Sequence, residues 1–150
     1  MSAQLAGDQR PHLTLQRRFH ATPAQIFGAW TDPKQLIRWF GPDEGKVESA
    51  KTDLRVGGRY HIVFFTEDGE MHDVSGVYQE VVTNEKLKFT WRWITLPERE
   101  SLVTVTLKAD GDHTIMTLLH EQFFDENARD GHREGWTGAF DKLEKLFASA

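Results

Sequence analysis

The stretch from Asp125 to Ala148 constrains the fold of this chain more than any other, because its periodicity is helical and its apolar face needs a partner. On a helical wheel Ala128, His132, Trp136, Ala139, Phe140, Leu143, Leu146 and Phe147 share one sector. Arg133, Glu134, Thr137, Asp141, Glu144 and Lys145 lie opposite. Asp125 is placed to cap the start, while Glu126 in the first turn and Lys142 and Lys145 near the end suit the helix dipole. Gly131, Gly135 and Gly138 are the oddity: each costs about 1 kcal/mol against alanine inside a helix, and all three fall along one edge of the stripe. The opposite edge carries Trp136, Phe140 and Phe147. Either a neighbouring backbone packs tightly on the glycines, or the bare edge leaves room that a ligand could occupy.

Upstream, residues 1–11 are small and polar and read as a flexible tail, with a single domain over 12–150. His12 to His20 alternates as a strand, with Leu13, Leu15 and Phe19 on one side. Thr22-Pro23 and Asp32-Pro33 are two successive helix starts, a capping residue followed by proline. Ile26, Phe27 and Trp30 form the apolar side of the first short helix, and Leu36, Ile37, Trp39 and Phe40 that of the second. From Val47 onward the period falls to two. Strands are expected over Val47–Lys51, Arg59–Thr66, His72–Val82, Leu87–Trp93, Ser101–Lys108 and Thr114–Glu121, with hairpin signals at Asp68-Gly69, Asn84-Glu85 and Asp110-Gly111. About seven antiparallel strands must cover one apolar face, and the terminal helix is the element long enough to do it. The fold class is therefore α+β: a strand, two short helices, a six-stranded antiparallel run, and a long C-terminal helix packed across a curved sheet.

Composition narrows the function. A net charge of −5 with scattered basic residues argues against nucleic acid as a partner. The absence of cysteine excludes disulfides, thiol chemistry and cysteine-ligated metals. With neither a signal-peptide core nor a membrane-spanning stretch, a cytoplasmic location and no membrane insertion are expected. His120-Glu121 fails as a zinc-protease motif, since the second histidine would fall at Phe124. Gly57-Gly58 is no phosphate loop, and none of the five serines has a motif partner. His120 and His132 could meet across the gap between sheet and helix, more often a hydrogen-bonded core feature than a ligand set. No metal and no cofactor are expected. Tyr60, His61, Asp73, Arg92 and His120 are acid–base candidates spread along different strands, with no catalytic set assignable among them. The aromatics on inward faces (Trp39, Tyr60, Phe64, Phe89, Trp91 and Trp136) are ordinary core, or the wall of an apolar pocket beside the emptied helix edge.

These residues carry a resemblance. The segments ATPAQIFGAWTDPKQLIRWFGP (21–42), DLRVGGRY (53–60), GVYQEVVTNEKLKFTW (76–91), HEQF (120–123) and EGWTGAFDKL (134–143) resemble the helix-grip proteins of the START and birch-allergen superfamily (SRPBCC). Within it, they are similar to bacterial relatives of the C-terminal domain of the activator of the ninety-kilodalton heat-shock protein's ATPase. The resemblance runs from about His12 to Phe147 and implies the fold reached above. It implies a cavity rather than a shared catalytic set. The expected function is binding of an apolar or aromatic small molecule between sheet and helix. Trp39, Tyr60, Ile62, Phe64, Phe89, Trp91, Val105, Met116, Leu118, Gly135, Trp136 and Ala139 would line the site, His120 and His132 would anchor it, and the Phe40–Gly45 loop would border its mouth. Two alternatives stand beside it: a cavity enzyme of the cyclase or hydrolase kind, and a co-chaperone. The last is the weaker, because the eukaryotic activators carry a separate N-terminal domain for chaperone contact.

Overall fold

The computed structural model describes residues 9–148. Strand β1 (Leu13–Phe19) leads into helix α1 (Pro23–Thr31) and the single turn α2 (Pro33–Leu36). Six strands follow: β2 (Val47–Thr52), β3 (Arg59–Phe65), β4 (Met71–Val82), β5 (Lys86–Trp93), β6 (Ser101–Asp110) and β7 (His113–Glu121). Helix α3 (Glu126–Ala148) closes the described residues. The strands form one curved antiparallel sheet in the order β1-β7-β6-β5-β4-β3-β2, an α+β helix-grip arrangement. Residues 1–8 of the expected tail lie outside the described residues. Pro11, also assigned to that tail, is tied down: its carbonyl accepts from the Phe123 amide at 3.1 Å.

Local chemistry sets each helix end. Thr22 and Gln25 close a reciprocal capping box at the start of α1. The Asp32 side chain accepts from the Lys34 amide at α2, and that of Asp125 from the Ala128 amide at α3. One expectation needs correcting. Ile37 is 49% exposed, because the second helix ends at Leu36 and Ile37 falls on the outside of its closing turn. Trp39 and Phe40 fold back inward, with the Trp39 indole N–H donating to the Ala29 carbonyl at 3.0 Å.

Inward positions alternate along the strands as the period-two pattern requires: Tyr60, Ile62 and Phe64 on β3, Leu87, Phe89 and Trp91 on β5, and Thr114, Met116, Leu118 and His120 on β7. Helix α3 lays Trp136, Ala139, Phe140 and Leu143 on this face. Gly76 matters here. A Cβ on it would lie 1.9 Å from the Thr90 carbonyl oxygen and 2.7 Å from the Tyr60 ring. Its bare backbone lets that ring cross β4, and the Tyr60 hydroxyl donates to the Thr90 carbonyl. A bulge between Tyr78 and Glu80 breaks the register of β4 nearby.

Candidate functional site

Between the sheet and the helices the aromatic rings meet. Trp91 and Trp136 stand 5.0 Å apart by centroid, Trp30 and Trp136 5.7 Å, and Trp30 and Trp39 4.9 Å. The space beside them, bordered by Trp30 and Trp91 and by no residue of α3, is small, about 20 Å³, room for roughly one water molecule. Of the residues expected to line a pocket, Tyr60, Ile62, Phe89 and Trp91 border this space. Trp39, Phe64, Val105, Met116, Leu118, Trp136 and Ala139 are buried in the surrounding core. The Met116 sulfur accepts from the Trp30 indole at 3.2 Å. The expected wall omitted Trp30, Leu36, Thr52, Tyr78 and Leu87, and assigned Phe40 only to the mouth. Spacing put Trp30, Leu36, Phe40 and Leu87 on apolar faces without showing that they converge.

Along the glycine edge of α3 the surroundings change from one position to the next. A Cβ on Gly138 would lie 2.0 Å from the Pro42 carbonyl oxygen, so the loop after α2 packs directly on the helix backbone there. At Gly135 the first neighbour is the Pro42 Cβ at 3.7 Å, and at Gly131 nothing lies within 4 Å of an exposed position. Close approach explains one glycine of the three.

The polar centre is a histidine–tryptophan network. His120 and His132 do meet, at 5.1 Å between ring centroids. An indole N–H can only donate, which fixes the tautomers. Trp136 donates to His120 Nδ1 at 3.0 Å, so His120 Nε2 carries the proton and donates to the Ser101 hydroxyl at 2.8 Å. That hydroxyl turns its own proton toward the Trp91 carbonyl at 3.4 Å. Trp93 and Trp91 donate to His132 Nε2 at 3.0 and 3.3 Å, and His132 Nδ1 donates to the Ala128 carbonyl at 2.7 Å. Both imidazoles are neutral. Burial holds His120 well below its usual pKa, with the neighbouring His132 adding to the effect. Burial also lowers His132, opposed by its bond to the Ala128 carbonyl. Ser101 and Trp93 were absent from the expected site. The alternation of β5 marked Trp93, whereas Ser101 needed the pairing of β6 with β7.

The acid–base candidates do not gather around these histidines. Asp73 bonds His61 at 2.9 Å on the outer face of the sheet. Burial raises the phenol of Tyr60 well above its usual pKa and pushes Tyr78 up to about 12. Among the described residues one group could share an ion: His20, Asp112 and His113, with ligand atoms within 4.8 Å, at the β6–β7 turn. Its two rings are stacked 4.6 Å apart.

A curved sheet gripping one long helix over an aromatic, histidine-bearing interior defines a protein of the helix-grip class. The family model of Activator of Hsp90 ATPase homolog 1-like proteins matches residues 20–148, and the chain belongs to that family. Solved structures agree. An AHSA1 protein from Silicibacter pomeroyi is 28% identical with a TM-score of 0.81, over 92% of this chain and 98% of that one. A protein from Chromobacterium violaceum is 27% identical with a TM-score of 0.80, over 91% and 96%. One from Mycobacterium smegmatis, at 22% identity and a TM-score of 0.80 over 93% and 91%, shares the fold. No curated protein matches the chain. Among the described residues no helix is long and apolar enough to cross a membrane.

Proposed function

We infer that this protein binds an apolar or aromatic small molecule between the sheet and α3, with His120 and His132 as its polar anchors. The observation that carries this reading is the neutral histidine pair, His120 buried and His132 half-buried among indoles at α3, joined to the small space through Trp91, which borders both. Apolar walls alone would fill a core. A network of three indole donors, a hydroxyl and two imidazoles gives a ligand with one polar group something to exchange hydrogen bonds with. Occupancy requires the interior to open, since about 20 Å³ holds no organic ligand. The Phe40–Gly45 loop is the part placed to move: Phe40 borders the space, and Pro42 and Lys142 hold the loop to α3. The ligand then selects the open form, and its affinity is reduced by the cost of opening.

Native mass spectrometry of the purified protein, with titration of an apolar fluorescent probe, tests the reading. The expected result is a copurifying small molecule, or saturable probe binding that quenches tryptophan emission from Trp30, Trp91 and Trp136. A protein that carries nothing and takes up no probe does not have this function.

A further inference from the structure

The outer face of the sheet carries a second hollow, of about 400 Å³, within the range of small-ligand sites at roughly 300–1,000 Å³. Strand register builds it. His61 on β3 stands opposite Ser75 on β4, and Ser75 stands opposite Arg92 on β5, giving one polar row across three strands. Arg59 and Asp73 lie two positions along their strands on the same face, and Ile94, Pro97 and an edge of the otherwise inward Tyr60 complete the wall. Asp73 is already engaged, its carboxylate hydrogen-bonded to His61 at 2.9 Å and its side chain 15% exposed. The guanidinium groups of Arg59 and Arg92 are exposed, and neither has a side-chain hydrogen bond or ion pair among the described residues. Two uncommitted cations thus share a hollow on a chain whose net charge is −5.

We propose that this hollow binds a small organic oxyanion, a carboxylate or a phosphate monoester. Arg59 and Arg92 hold the charged oxygens, since a planar guanidinium matches either group with paired N–H donors. The Ser75 hydroxyl supplies a further donor, and Ile94 and Pro97 cover the apolar remainder of the molecule. The three paired strands fix the spacing of these groups, as a binding site needs. The hollow lies on the face opposite the histidine network, so the site stands or falls independently of the interior reading.

The test is titration of the full chain at low salt with inorganic phosphate, benzoate and phenyl phosphate, followed by backbone amide chemical shifts. Saturable shifts confined to the strands around Arg59, Ser75 and Arg92 are expected. Phenyl phosphate should bind more tightly than inorganic phosphate, because its ring reaches Ile94 and Pro97, and comparison with benzoate shows which oxyanion is preferred. Arg59→Ala and Arg92→Ala should each weaken binding about tenfold, as loss of a charge-assisted hydrogen bond does. Both side chains are exposed, so unfolding temperatures should not move. Arg133→Ala, on the exposed side of α3, should bind as the parent does. No saturable shift with any of the three anions overturns the proposal. So does an Arg133→Ala loss equal to those at Arg59 and Arg92, which would mean general attraction to positive charge.

Discussion

Three glycines in one helix meet three different surroundings, and substitution to alanine has one expected sign at Gly131 and Gly135 and the opposite sign at Gly138. Gly131 is exposed with nothing near its missing Cβ, and at Gly135 a Cβ would make ordinary contact with Pro42 at 3.7 Å. Alanine at either should stabilise the fold by about 1 kcal/mol through helix propensity. At Gly138 the Cβ would meet the Pro42 carbonyl at 2.0 Å, and backbone must move. Overpacking of about 1–3 kcal/mol should outweigh the propensity gain, so Gly138→Ala should melt below the parent. Thermal unfolding of the three variants reads these signs, and a Gly138→Ala protein melting higher would mean that the loop is not seated on the helix. The histidines make a second prediction at this scale. Both have pKa values lowered in the fold, against about 6.5 in the unfolded chain. Below about pH 6.5 the unfolded chain binds more protons than the folded one. Their stabilisation is therefore complete above that pH and is lost as pH falls, at up to about 1.4 kcal/mol per unit for each histidine. Asp68, Glu80 and Asp112, lowered chiefly by hydrogen bonds with Thr66, Lys86 and His113, act at more acid pH and leave this window clear. Urea unfolding between pH 8 and pH 5 should show the midpoint falling on the acid side. A flat profile would contradict the neutral buried pair.

At the scale of elements, the loop between α2 and β2 is the joint on which the interior reading turns. Lys142, on α3, donates to the carbonyls of Phe40, at 3.4 Å, and Asp43. Burial lowers its pKa against the opposing pull of Glu44, Asp43 and Glu67. Lys142→Met keeps the aliphatic stem and removes the donors. It should speed uptake of an apolar probe severalfold while costing about 1 kcal/mol of stability. Stopped-flow mixing measures this, and an unchanged rate would place the entrance elsewhere. The elements themselves were legible because each carries its own period: Leu87, Phe89, Trp91 and Trp93 announce a strand, and Thr22-Pro23 announces a helix start. The site was legible in part. Periodicity puts His120 and His132 on inward faces, and two elements crossing one core bring them together. Ser101 beside His120, Pro42 on Gly138 and Arg92 opposite Ser75 were not legible. They depend on strand register and on the course of a loop, and a single strand or helix face encodes neither. Ile37 shows the same limit in small, since its burial turned on where a four-residue helix stopped.

For the whole molecule, charge and topology carry the remaining consequences. A net charge of −5 with scattered basic residues should leave generic duplex DNA and RNA unretained at physiological salt. A salt-sensitive gel shift would reverse that expectation. The sheet order matters more for how the protein is made. The first strand, β1, pairs with the last, β7, Leu13 against His120, so the first strand to be synthesised must wait for the final hairpin. The meander from β2 to β6 pairs neighbour with neighbour and can form as it leaves the ribosome. Its inward Trp91, which packs on Trp136 at 5.0 Å between ring centroids, stays uncovered on that side until α3 follows. Non-local pairing of this kind slows folding and exposes apolar surface meanwhile. A nascent chain stalled short of Asp125 should therefore be cut readily by protease and bind a holdase chaperone, whereas release of the whole chain should make it resistant. The grip of sheet on helix leaves the domain unfinished until α3 emerges.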